Sequence, residues 1–214
     1  MPEMEVMMEL PSGKLAVPRL GDGTGYFIAE EECQAYAEDE LLFGACMQAG
    51  GTMGDGLATS AILALHNPAG SGVTGRLWYA HLELTIANVE IVGDAVWLGV
   101  NTNTNAAIVT GTAAVVRKYS LGGGVNNVQG QKLLALTAAT LPAAPVALCT
   151  LGALLTGAIT TLPQAVPFRR KFYGAMLIQP GTTVSFQIQD ATDTASAFGE
   201  LVWSEHTEIA VSED

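Results

Sequence analysis

The chain is predicted to be all-β, an antiparallel sandwich, on three observations. From Leu57 onward apolar residues recur with a period of two, the repeat of a strand with one buried face. Clusters of Gly, Pro and Asn cut these stretches at short intervals. The composition, 49% hydrophobic with 24 glycines, suits many short strands joined by tight turns.

Trp78, Ala80, Leu82, Leu84 and Ile86 fall on one face of a strand, with Tyr79, His81, Glu83 and Thr85 on the other. Val184, Phe186 and Ile188 alternate with Ser185, Gln187 and Gln189, and Leu201, Trp203 and Glu205 with Val202, Ser204 and His206. Further strands are expected over 57–66, 95–101, 132–139, 145–151 and 173–179, while 106–118 reads as either strand or short helix. Turn signals stand at Asn67-Pro68 with Gly70 and Gly72, at Gly93-Asp94, at Gly122-Gly123-Gly124 and at Pro180-Gly181. About eight strands at this spacing point to a jelly-roll-like sandwich of two sheets.

The first 40 residues differ in kind. They hold ten acids and two bases, leaving eleven acids and seven bases for the other 174 residues. Pro2, Pro11 and Pro18, then Gly21, Gly23 and Gly25, oppose regular structure, so 1–25 reads as an extended arm. Residues 29–48 are better helix formers, with acids where a helix N-terminus favours them, and a short helix is the expectation there. The division is therefore 1–56, N-terminal arm and linker, and 57–214, β-sandwich domain.

Charged residues are only 14% of the chain, against about 25% in ordinary soluble domains. Such a surface is expected to be covered by copies of itself or by a partner. A net charge of −12, with 9 bases against 21 acids, excludes a phosphate-neutralising nucleic-acid surface. The one basic cluster, Arg169-Arg170-Lys171, reads as solvated or as meeting an acidic neighbour. The most apolar window, 133–162, is broken by Pro142, Pro145, Gly152 and Gly157 and reads as β-structure rather than a membrane span. The N-terminus lacks the pattern of a secretory signal. Cys33, Cys46 and Cys149 form no CxxC pair and are expected to be buried free thiols in a protein made in a reducing cytosol.

Three pieces stand in order along the chain: Asn67-Pro68-Ala69-Gly70-Ser71-Gly72 after an apolar strand, Pro180-Gly181 in a later hairpin, and Trp203-Ser204-Glu205 on the last strand. In these pieces, over residues 57–206, the chain resembles small β-sandwich structural proteins of tailed bacteriophages, among them capsid decoration (cement) proteins and head fibres. A single proline before Gly181 departs from the double proline of that pattern. The resemblance implies a virion protein on the capsid exterior, synthesised in the host cytoplasm. It implies a homotrimer whose partner is the major capsid protein, gripped by an arm that can span tens of Å at about 3.3 Å per residue. The alternative is a head-fibre or tail-tip protein that binds a receptor or glycan.

His66, His81 and His206 show no HxH or HExxH spacing and read as ordinary surface or interface histidines. Glu83, Glu90, Glu200 and Glu205 are the candidates for a glycosidase pair, but read as exposed strand acids. Ser60, Ser71 and Ser120 lack a nucleophile-elbow context, and Gly122–Gly124 lacks the Gly-Lys-Ser/Thr that completes a phosphate loop. Glu30-Glu31-Glu32 and Glu38-Asp39-Glu40 lack the spacing of a calcium loop. Trp78, Trp97 and Trp203 read as core rather than sugar-stacking platforms. No enzyme activity, cofactor, metal or catalytic residue is expected, and neither nucleic acid nor membrane is an expected partner.

Overall fold

Alternating apolar residues become strands here because each strand can turn one face into a shared interior. The computed structural model describes residues 8–9, 15–16, 37, 41–52, 56–85, 94–102, 109–119, 131–154, 165–189 and 196–207. Among them are β1 (Met8–Glu9), β2 (Leu15–Ala16), β3 (Leu42–Cys46), β4 (Gly51–Thr52), β5 (Ser60–Asn67), β6 (Val73–Thr85) and β7 (Asp94–Asn101). There follow β8 (Thr110–Ala113), β9 (Val116–Lys118), β10 (Leu134–Thr140), β11 (Val146–Leu154), β12 (Ala165–Ile178), β13 (Thr182–Gln189) and β14 (Ser196–Thr207). Sheet I has the order β11-β7-β13-β5-β10-β8, and sheet II the order β12-β6-β14-β3-β9, with β4 also on β14. The short strands β1 and β2 pair with each other.

The connectivity is a wrapped ribbon. β5 pairs with β13, β6 with β12, β7 with β11 and β8 with β10, all antiparallel. The chain up to β8 thus runs beside the chain from β10 back to β13, the nested pairing of a jelly roll. One departure is that the innermost pair, β8 and β10, lies beside β5 in sheet I and so shares the sheet of β7 and β11.

Between the sheets lies the main core, including Leu63, Leu65, Leu77, Leu82, Leu84, Leu98, Phe186, Ile188, Leu201 and Trp203. Trp203 is fully buried and stacks on Phe43, with centroids 5.9 Å apart.

Two expectations are corrected. Leu42–Cys46, expected within the helical stretch 29–48 and the arm 1–56, is a strand paired with β14 and β9. Its run of four buried residues gains more by covering the interior of sheet II than local helix propensity offers. The sandwich therefore includes residues well before Leu57. Ala37 has helical backbone; of the rest of the expected helix and arm the described residues are β1, β2, Leu41, 47–52 with β4, and Gly56, and the remainder falls outside them.

The second correction concerns Trp78. Leu77 pairs with Trp203 and Met176, Tyr79 with Val202 and Lys171, and Trp78 is skipped in both registers. This bulge shifts the phase by one residue. Leu77 takes the core position, and Trp78 turns outward into a separate cluster with Leu42 and Val202. On β12 the compensating irregularity contains Tyr173 at φ 52° and Gly174 at φ 72°. A Cβ on Gly174 would sit 3.1 Å from the Trp78 ring, so the backbone must pass under that indole without a side chain. Ile86 lies outside the described residues.

Candidate functional site

The three sequence pieces singled out above meet at one end of the sandwich. Both turns there cross between the sheets: residues 68–72 carry β5 into β6, and 179–181 carry β12 into β13. The second is a type II turn, with Thr182 N donating to Gln179 O at 3.0 Å and Gly181 at φ 78° after Pro180. Asn67 ties the two together. Its Nδ2 donates to Val73 O and Ile178 O, both at 2.8 Å, and its own carbonyl accepts from Gly181 N at 2.8 Å.

Glu205 is not the exposed strand acid expected; it is buried. Its carboxylate accepts from Lys132 N at 2.6 Å, Leu133 N at 2.9 Å and Trp203 Nε1 at 3.0 Å. Burial is tolerated because three N–H donors converge on it. Leu133, held in this way, packs against Gly75, where a Cβ would lie 2.5 Å from its side chain. This corner is a structural tie.

The histidines do not converge. His66 is buried in β5 with Nδ1 2.8 Å from Thr183 Oγ1, and burial lowers its pKa. His81 lies on sheet II with Nδ1 4.0 Å from Glu200 Oε2. His206 ends a relay in which Trp78 Nε1 donates to Ser204 Oγ at 2.8 Å and Ser204 Oγ lies 2.9 Å from His206 Nε2. Burial, then the neighbouring Arg76 charge, lowers the His206 pKa to about 4. Among the described residues no three His, Cys, Asp or Glu side chains are grouped to hold a metal.

Ser60 opens β5, and Ser71 Oγ bonds within its own turn to Val73. Ser120, Gly122–Gly124, Glu90 and the acids at 30–32 and 38–40 lie outside the described residues. Cys46 and Cys149 are free but not buried as expected. Cys46 is exposed at the end of β3 and Cys149 is partly exposed on the edge strand β11. Desolvation raises both thiol pKa values; beside Cys46 the Glu200 charge adds to the effect. Trp78 and Trp203 are buried and Trp97 is half-buried. Arg169, Arg170 and Lys171 are exposed on β12, where Arg170 donates to Thr150 O at 3.2 Å, linking the edges of the two sheets.

Side chains on the outer face of sheet II are brought together by register. Arg169, His81, Glu200 and Cys46 form one rung across β12, β6, β14 and β3, and Lys171, Tyr79, Val202, Gly44 and Arg117 form the next, which reaches β9. Tyr119 lies on this face. A Cβ on Gly44 would come within 2.6 Å of its ring, and its hydroxyl lies 3.2 Å from Glu200 Oε1. Around it runs a groove of about 330 Å³ lined by Cys46, Gln48, Val115, Arg117, Lys118 and Glu200. A second groove, of about 340 Å³, shares Cys46, Gln48 and Val115 with it. Nothing in the sequence pointed to Tyr119, because its seat on Gly44 is made by tertiary pairing of distant residues.

Compared with family models, curated proteins and solved structures, the chain matches none. No helix among the described residues is long and apolar enough to cross a membrane.

Proposed function

We propose that this chain is a structural virion protein, a capsid decoration or cement protein of a tailed bacteriophage. It binds the outer shell as a homotrimer and reinforces contacts between major capsid subunits. The proposal rests on the resemblance in the three corner motifs, and one further observation supports it. Edge strand β11 carries no charged residue and exposes Val146 (70%) and Leu148 (46%). Uncharged, apolar sheet edges need cover, and a low-charge chain meant to sit among other subunits finds that cover in them. Multivalent attachment would then turn modest contacts into firm binding.

The test is light scattering on the purified protein followed by co-sedimentation with expanded, undecorated capsids. A trimer that saturates capsids in a fixed ratio supports the reading. A soluble oligomer that ignores capsids overturns it in favour of the receptor- or glycan-binding alternative. The arm is tested by deleting residues 1–36. The cut stops there because β3 begins at Leu42 and Leu41 O accepts from Glu205 N at 3.3 Å, so a deletion through residue 50 would remove sheet II pairing along with the arm. The truncated protein is expected to keep its oligomeric state and lose shell binding.

A further inference from the structure

We propose that the groove around Tyr119 on sheet II is a binding subsite for one pyranose ring of a glycan, with Tyr119 as its stacking platform and Glu200 as its hydroxyl acceptor. This goes beyond shell decoration and does not depend on it. A pyranose has an apolar C–H face and a rim of hydroxyls, so its site needs a fixed aromatic surface beside hydrogen-bonding groups. Most exposed tyrosines swing freely and would lose entropy on binding. Tyr119 is held at three points: its ring rests on Gly44, its hydroxyl meets Glu200, and its backbone N–H donates to Leu42 O at 3.0 Å. It nevertheless remains 44% exposed.

Glu200 reaches Tyr119 through Oε1, and its other oxygen, Oε2, lies 4.0 Å from His81 Nδ1, beyond hydrogen-bond range. Oε2 thus keeps capacity to accept from sugar hydroxyls. The volume of about 330 Å³ is at the lower end of ligand sites, about 300–1,000 Å³, which suits a single ring within a longer chain. Arg117 and Lys118 line the groove beside Glu200, so a ring's hydroxyls meet charged donors as well as an acceptor there.

The experiment is saturation-transfer-difference NMR on the full chain with maltotriose, cellotriose and chitotriose as probes. The same samples are alkylated with iodoacetamide, with mass spectrometry reading protection of Cys46, which lines the groove. At least one trisaccharide is expected to show transfer and to slow Cys46 alkylation. Y119A should then weaken binding about tenfold or more, and E200Q should weaken it less. G44A, which displaces the ring without altering its chemistry, should resemble Y119A. L177A, on exposed Leu177 of β12, is the control expected to leave binding unchanged. Circular dichroism of each variant separates lost binding from lost folding. No transfer from any of the three probes, or transfer that persists in folded Y119A, overturns the proposal.

Discussion

Replacing Glu205 with alanine removes the acceptor of three N–H groups at once. Leu133 N and Trp203 Nε1 both donate to Oε1 in buried surroundings, and Lys132 N donates to Oε2 from a partly buried position. A buried donor stripped of its partner costs about 1–3 kcal/mol. Two such donors give about 2–6 kcal/mol, while the third recovers part of its loss from water. E205A is therefore expected to cost about 3–5 kcal/mol, a large share of the roughly 5–15 kcal/mol of an ordinary domain. E205Q separates this account from a simple packing effect. Its amide oxygen, placed at Oε1, keeps two of the three bonds, and only the amide nitrogen opposes the Lys132 N–H, so about 1–2 kcal/mol is expected. Urea unfolding followed by tryptophan fluorescence, at fixed protein concentration, gives the midpoints and slopes. Stability of E205A within about 0.5 kcal/mol of wild type would refute the reasoning, as would E205Q and E205A being equal.

N67A leaves the Val73 and Ile178 carbonyls without their donor and is expected to cost about 2–4 kcal/mol. N67D should melt lower still in a thermal scan at pH 7, because a carboxylate would then face two carbonyl oxygens. G174A combines a φ of 72° with crowding at 3.1 Å against Trp78, whereas G70A has a φ of 77° and no atom within 4 Å. G174A should therefore destabilise by about 1–3 kcal/mol and G70A by about 1 kcal/mol, and equal effects would contradict the close approach. For His206, the folded pKa of about 4 lies below the reference value of 6.5, so the unfolded chain binds the extra proton between them. Its contribution is intact above pH 6.5 and is lost as pH falls from there toward 4. For a half-buried ring the loss is of order 1–2 kcal/mol after allowance for screening. H206N should flatten the wild-type slope of stability against pH in that window.

Where apolar alternation was uninterrupted, the sequence was enough to place strands. Val184, Phe186 and Ile188 face the core as their spacing requires, as do Leu201 and Trp203. Expectations failed where a long-range choice overrode a local one. Leu42–Cys46 looks helical only while its partner β14 is out of sight. Trp78 leaves the core phase because a bulge, invisible to a period-two count, passes that position to Leu77. Within the ambiguous stretch 106–118 the described residues hold β8 and β9, two short strands that lie in different sheets. In the sequence Glu205 is one strand acid among four, since two of the three donors that hold it come from the distant residues 132–133. The Tyr119 groove was illegible for the same reason: Gly44, Tyr119 and Glu200 meet only after β3, β9 and β14 have assembled.

The residues of the three corner motifs are consumed within the chain. Asn67 closes on Val73, Ile178 and Gly181, Glu205 on residues 132, 133 and 203, and both Asn67 and Glu205 are buried. Such motifs specify how two crossing turns are tied at one end of a sandwich, and any chain that needs the same corner has reason to acquire them. Partner choice must then be written on surfaces away from the corner, and two with opposite chemistry are available. β11 is an uncharged apolar edge, suited to another protein surface. The rungs of sheet II set the exposed Arg169 beside the partly exposed His81, Glu200 and Tyr79, suited to a polar ligand. Because the two lie on different sheets, they can be broken separately. V146E with L148E should dissolve the oligomer or its shell contact and leave Cys46 protection by trisaccharide unchanged, and Y119A should do the reverse. If either change abolished both properties in a folded protein, the two surfaces would be one interface, and the division of labour argued from their chemistry would be wrong.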